Sequence, residues 1–130
     1  MTLANFTKRT PWKAKRNKMN AVQVHDPEHG LFHSKREHQR FHVLRLRERA
    51  GEIRSLKRQV PYLLEVNGKL VGKLIMDFTY DELVTELPSG VPCNAQWQFV
   101  DEDCKGYQTD LSKWQHKLFE AIFGRSIRLS

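Results

Sequence analysis

Cysteine is nearly missing from this 130-residue sequence: Cys93 and Cys104 lie eleven apart, with no C-x-x-C pair. That spacing supports neither a disulfide scaffold nor a zinc site of ordinary cysteine pattern, and both residues read as free thiols. Long apolar runs are missing as well. No stretch approaches the roughly 18 apolar residues needed to span a bilayer, and the cationic N-terminus lacks the apolar segment of a signal peptide. These absences predict a soluble, cytoplasmic protein without a membrane partner, and the length suits one compact domain.

Acidic residues are scarce in the first half of the chain only. Residues 1–60 hold fifteen Lys or Arg against five Asp or Glu, whereas residues 61–130 hold seven against ten. A net +10 is thus set against −3. A polyanion held by the first half and a cation held by carboxylates of the second would account for the division. A solvated helix with a basic tail would produce the same totals. The cluster Lys8, Arg9, Lys13, Lys15, Arg16 and Lys18 falls in a stretch with little apolar periodicity. Residues 1–30 are therefore expected to form a flexible arm whose cations contact phosphate. Phe6 and Trp12 interrupt it, as rings that either stack on bases or pack back onto the domain.

Residues 31–130 read as the folded domain. Ser34-Lys35-Arg36-Glu37 is a capping-box sequence, opening a helix that runs to about Ala50 before Gly51. Its buried stripe is read as Glu37, Phe41, Leu44 and Glu48, widened by Val43, Leu46 and Ala50. Lys35, Arg36 and Arg40 then form either a phosphate-binding ridge, with Arg47 and Arg54 near it, or an ordinary solvated face. Residues 60–66 and 69–80 read as strands joined by Asn67-Gly68, whose type I′ turn requires positive φ at both positions. Turn residues from Pro88 to Pro92 lead to a third strand over 95–104. A helix follows to Phe123, with Leu111, Trp114, Leu118, Ala121 and Ile122 as its apolar stripe, and 126–129 supply a last strand.

Two features carry chemistry. Asp103 and Lys105 are two residues apart at the end of the third strand, so they point to one face, and Asp101 shares that face. A carboxylate can hold a divalent cation, and a lysine beside it can orient a water or neutralise charge developing on a phosphate. Taken alone, D-x-K more often marks a solvated strand end. The second feature is Asp77, set between Met76 and Phe78, where an acid has no structural purpose without a partner. Glu37 is on or near the inward side of the first helix, where it serves either as half of the capping box or as a further cation ligand.

The order α-β-β-β-α-β, with Glu37 in the first helix, Asp77 in the second strand and Asp103-Cys104-Lys105 in the third, resembles the PD-(D/E)xK nuclease superfamily. That group includes restriction endonucleases and phage Holliday junction resolvases. More closely, Phe32-His33-Ser34-Lys35-Arg36-Glu37, Ala50-Gly51-Glu52-Ile53, Leu56 with Gln59 and Pro61, Asp77-Phe78, Glu102 to Gly106 and Lys117-Leu118-Phe119-Glu120 are similar to a family of small phage-encoded proteins assigned to it. The resemblance spans roughly residues 17–129.

It implies an α/β restriction-endonuclease-like core, a mixed central sheet flanked by helices. It also implies Mg²⁺, or Mn²⁺ in its place, as cofactor with no small-molecule cofactor, DNA as partner, and products ending in 5′-phosphate and 3′-hydroxyl. Asp77, Asp103 and the backbone carbonyl of Cys104 would be the principal ligands, with Glu37 joining directly or through water. Lys105 would position the attacking water, and Gln59 would orient a water or a phosphate. The sequence departs from the pattern in having Ile75-Met76 where the first motif has proline, and Asp103 where a longer Glu is common. Asp101 and Glu102 crowd the same end, although alternation turns Glu102 away.

Phosphate contacts by Lys and Arg carry no sequence readout, and no helix resembles a base-reading module, so structure-directed cutting of branched DNA is favoured. A junction presents two strands, which implies a homodimer. Trimming or nicking of duplex or single-stranded DNA stays open. Two other classes compete. His25, His29 and His33, with His38 and His42, recur at four-residue steps, as in a zinc-stabilised module, but Pro27 and Gly30 interrupt the first three. The other is a nuclease fold that only binds nucleic acid.

Overall fold

A computed structural model describes residues 22–130. The expected phosphate contacts at Lys8, Arg9, Lys13, Lys15, Arg16 and Lys18, and the rings of Phe6 and Trp12, lie outside the described residues. The described chain opens with an antiparallel hairpin, β1 (Val24–Asp26) and β2 (Gly30–Phe32). Residues 24–30, expected to be part of a flexible arm, are ordered in this hairpin for two physical reasons. Asp26 closes the turn by accepting the amides of Glu28 and His29 at 2.8 and 3.1 Å, with Gly30 at φ +83°. Phe32 then anchors the hairpin by entering the core, where it is fully buried.

Helix α1 (Lys35–Arg49) starts at the expected cap, where Ser34 Oγ accepts the Glu37 amide at 3.1 Å. Its buried residues are Glu37, Phe41 and Leu44. Val43 and Leu46, expected to widen that face, are 45% and 64% exposed. At 3.6 residues per turn they fall across the helix axis from Phe41 and Leu44, so the buried stripe is narrower than the sequence reading made it.

Strand β3 (Ile53–Val66) and strand β4 (Lys69–Glu86) form the long expected hairpin, with Asn67 at φ +51° and Gly68 at +77° as a type I′ turn demands. Strand β5 (Pro92–Asp103) pairs antiparallel with β4, and after helix α2 (Asp110–Phe123) strand β6 (Ile127–Leu129) returns parallel to β5. The sheet order is β3-β4-β5-β6, so the fold is mixed α/β with a four-stranded mixed sheet and two helices. Among the described residues no helix is long and apolar enough to cross a membrane.

Consecutive residues of β5 show that the helices cover opposite faces. Glu102 reaches Arg40 of α1, whereas Asp101 reaches Arg125, just past α2. The α1 side is packed by Phe32, Phe41, Leu44, Phe78 and Tyr80, and the α2 side by Leu64, Leu74, Met76 and Phe119. Strands β3 and β4 therefore change face together: Phe78 and Arg58 are on the α1 side, Met76 and Val60 on the α2 side. Gln59 and Asp77 occupy that crossover, and Gln59 has a left-handed φ of +51° to make it.

Helix α2 is turned by about one residue step, ~100°, from the expected orientation. Ser112, His116 and Phe119 are buried, while Leu111 and Trp114 are 66% and 54% exposed. The cause is nonlocal: Asp103 takes His116 as its hydrogen-bond partner.

Candidate active site

The face change leaves a cleft of about 600 Å³ lined by Glu37, Gln59, Asp77, Cys104 and Lys105, together with residues of both helix starts. Four elements supply these five side chains. Helix α1 contributes Glu37 from its first turn, β3 contributes Gln59, β4 contributes Asp77, and the exit from β5 contributes Cys104 and Lys105. Gln59 Nε2 donates to Glu37 Oε1 at 2.9 Å and to Asp77 Oδ1 at 3.3 Å, so one amide joins two acids. Half of the expected capping box is thereby reassigned: Ser34 caps the helix, while the Glu37 carboxylate turns to Gln59.

Asp77 and Asp103 lie within hydrogen-bond reach of each other. Asp77 Oδ2 also accepts the Cys104 amide at 2.8 Å, so for Cys104 the engaged backbone group is the N–H. Asp103 Oδ2 meets His116 Nε2 at 2.8 Å and Lys105 Nζ at 3.4 Å. The oxygens of Glu37, Asp77 and Asp103 do not all come within 4.8 Å of one another. Glu37 therefore reaches the acid pair through Gln59.

The electrostatics follow from burial and from these neighbours. Burial, and then Asp103 beside it, push the Asp77 carboxyl up to about 8. Burial opposes ionisation of Asp103 too, but bonds from His116 and Asp77 and the Lys105 charge outweigh it and hold this acid below its ordinary value. Asp77 is thus the member of the pair whose ionisation is opposed, and Asp103 the member whose charge its neighbours favour. Burial raises Glu37, against the opposing pull of His33, Arg58 and Gln59.

Two neighbours of the pair have structural roles. Glu102 is fully buried and accepts two bonds from Arg40, both at 2.8 Å, with a third from the Tyr80 hydroxyl. Asp101 accepts the Tyr62 hydroxyl at 2.6 Å and pairs with Arg125. Three arginines of the expected phosphate ridge have acidic partners: Arg40 is held by Glu102, Arg47 pairs with Glu52 and Glu82, and Arg54 pairs with Asp81. Arg36 donates to the carbonyl of Ser130, and Lys35 is exposed beside the cleft residue Ser34.

The sequence reading missed His116 and Arg58. His116 is buried and held by Gln108 at 2.8 Å, which orients it toward Asp103. Its signal was the spacing Ser112, His116, Phe119, a helical stripe containing two polar members. Arg58 lies 3.6 Å over the Phe32 ring, donates to the carbonyls of His29 and Leu31, and stands 3.9 Å from Glu37.

Both helices begin at this cleft. Their caps, Ser34 and Thr109, line it, so two sets of unpaired helix amides border one cavity. Ser112 lines it as well, and its buried hydroxyl has no hydrogen-bond partner. Compared with protein-family models, curated proteins and solved structures, the chain matches none.

Proposed function

We propose that this protein is a metal-dependent deoxyribonuclease with a PD-(D/E)xK core, cutting branched DNA such as a four-way junction during phage recombination or DNA processing. The observation that carries the reading is the Asp77–Asp103 pair, a half-buried acid beside a buried one at a cleft that also holds Lys105 and two helix N-termini. The donor set suits Mg²⁺ or Mn²⁺: the groups are carboxylate oxygens, which hard cations prefer, and a dication would relieve the repulsion between two neighbouring carboxylates. Asp77 and Asp103 would hold it, with Glu37 acting through an intervening group.

When bound, such an ion would supply a lowered pKa for water and polarisation of the phosphate. The chain's own residues supply the rest. Lys105, exposed and 3.4 Å from Asp103, is positioned to carry positive charge toward the cleaved phosphate. His116 orients Asp103 from behind, and Gln59 fixes Asp77 and Glu37 relative to one another. The helix starts and the Ser112 hydroxyl offer donors to phosphate oxygens. Substrate preference rests on charge without base readout, and a homodimer would present two such clefts to the two strands of a junction.

The test is cleavage of labelled four-way junction, flap, duplex and single-stranded DNA with Mg²⁺ or Mn²⁺, comparing wild type with Asp77→Asn and Lys105→Ala. Metal-dependent cutting lost in both variants supports the nuclease, and the substrate ranking separates junction resolution from general cutting. Tight DNA binding without cutting on every substrate would leave a binding protein instead.

A further inference from the structure

A second set of ligand atoms gathers away from the cleft. Asp26 Oδ2 lies 2.8 Å from His38 Nε2 and 3.7 Å from His42 Nε2, and the two imidazole nitrogens are 3.1 Å apart. His38 and His42 are one helical turn apart on α1, and Asp26 comes from the hairpin, so the cluster joins two elements. Its partner is not the regular histidine spacing of the sequence: His25 is on β1, His29 is in the turn and His33 precedes α1.

Hydrogen bonding alone serves this triangle poorly. Each Nε2 can carry one proton, so a single proton on His38 points along one edge, to Asp26 or to His42. A cation serves all three corners at once. A triangle with these edges has its centre about 1.9 Å from each corner, and an ion slightly above that plane would make bonds of about 2.0–2.1 Å, the length found for zinc with imidazole and carboxylate. By distance, all three ligand atoms already lie within bonding range of one such position.

The supporting groups are also in place. Asp26 Oδ1 is occupied by the Glu28 and His29 amides, which orients the carboxylate and leaves Oδ2 for the histidines. The His38 ring meets the Phe32 ring edge-on at 4.8 Å. His42 is 54% exposed by side chain and borders a cavity of about 230 Å³ shared with Glu28, His29 and Arg45, which gives an ion entry and an open fourth position.

We propose that Asp26, His38 and His42 form a binding site for a divalent transition metal of the zinc class, which fastens the β1–β2 hairpin to α1. Two imidazoles and one carboxylate favour zinc-class ions over Mg²⁺, which selects the all-oxygen set of the cleft. The site stands whether or not the cleft is a nuclease. The segment outside the described residues contains no His, Cys, Asp or Glu that could complete or compete for it.

The test is titration of tag-free, chelator-treated protein with Zn²⁺ by calorimetry in excess Mg²⁺, with Co²⁺ absorption as a second readout. Wild type should bind one equivalent per chain, gain thermal stability and give the visible bands of four-coordinate Co²⁺. His42→Ala, at an exposed position, should retain the circular dichroism of wild type and lose about 100-fold or more in affinity. The Asp77→Asn/Asp103→Asn double variant should bind Zn²⁺ as wild type does. Absence of binding in wild type would overturn the site, as would binding retained in His42→Ala and lost in the double variant.

Discussion

Two pairs of acids sit at the same end of the sheet, Asp101 with Glu102, both buried, and Asp103, buried, with a half-buried Asp77, and their surroundings differ. Asp101 and Glu102 are each met by an arginine and a tyrosine, and Arg40 and Tyr80 outweigh burial to hold Glu102 below its ordinary value. Asp77 and Asp103 have each other: Asp77 takes only the amides of Gln59 and Cys104 and no cation, while Asp103 takes His116 and, at 3.4 Å, Lys105. An acid fully supplied with cations and donors has nothing left to offer a ligand. The undersupplied pair is the one beside the open cleft. The lesson is that a count of acids at a strand end says little, and that the unbalanced charge marks the site.

The comparison is broken most strongly by activity. On the proposed nuclease reading, Asp77→Asn should reduce DNA cleavage about a thousandfold or more, roughly 4 kcal/mol on the barrier, in a single-turnover assay with Mg²⁺. It should cost the metal-free fold about 1–3 kcal/mol at most, because the asparagine amide can donate to Asp103 but replaces an oxygen that accepts from Gln59 or from the Cys104 N–H. Arg40→Ala should do the reverse. Removing the partner of a fully buried carboxylate costs about 3 kcal/mol in urea unfolding, the low end of the range for buried pairs, since Tyr80 and Ser130 still bond Glu102. DNA affinity of this variant, measured on folded protein, should stay within about threefold of wild type, since Arg40 is turned inward. A large affinity loss would mean that the ion pair opens to meet phosphate.

Acidity sharpens the same contrast. The raised Asp77 carboxyl binds its proton more tightly in the folded chain than in the unfolded one, so the proton stabilises the fold. That stability is fully present below about pH 4 and is lost as the pH rises to about 8. The depressed acids Glu102, Asp103 and Glu82 act oppositely, contributing stability above about pH 4 that is lost on acidification. Metal-free protein should therefore lose stability between about pH 5 and 8, by at most ~1.4 kcal/mol per pH unit, and level off above. Saturating Mg²⁺ or Asp77→Asn should flatten the slope in thermal scans; an equal slope in all three would place the proton elsewhere.

Much of this architecture was readable because it depends on local chemistry. Asn67-Gly68 demands its turn, Ser34 and Thr109 cap their helices, and Gly124 ends α2 at φ +69°. What was not readable depends on distant partners. The face change at Gln59 and Asp77 is hidden in an unbroken apolar run, since Leu74, Ile75, Met76 and Phe78 give no alternation. The turn of α2 depends on an acid of β5 choosing a histidine, and the first hairpin depends on Asp26 and on Phe32 finding the core. For the site, Asp77, Asp103, Lys105, Glu37 and Gln59 were named from motifs and resemblance. Their division into an adjacent acid pair and an amide-linked third acid depends on contacts between four distant elements.

The smallest effect is expected at Ser112, and its sign separates two roles. A buried serine that holds the fold together loses a hydrogen bond when cut to alanine, and stability falls. The Ser112 hydroxyl has no partner to lose, and it borders the cleft at the first turn of α2. Ser112→Ala should therefore leave thermal stability unchanged or slightly raised, because an unsatisfied buried hydroxyl is removed. Were the hydroxyl to meet a DNA phosphate, KM should rise by less than about tenfold, under 1.4 kcal/mol, with kcat nearly constant. Destabilisation with unchanged KM would assign Ser112 to packing and place the phosphate nearer the start of α1.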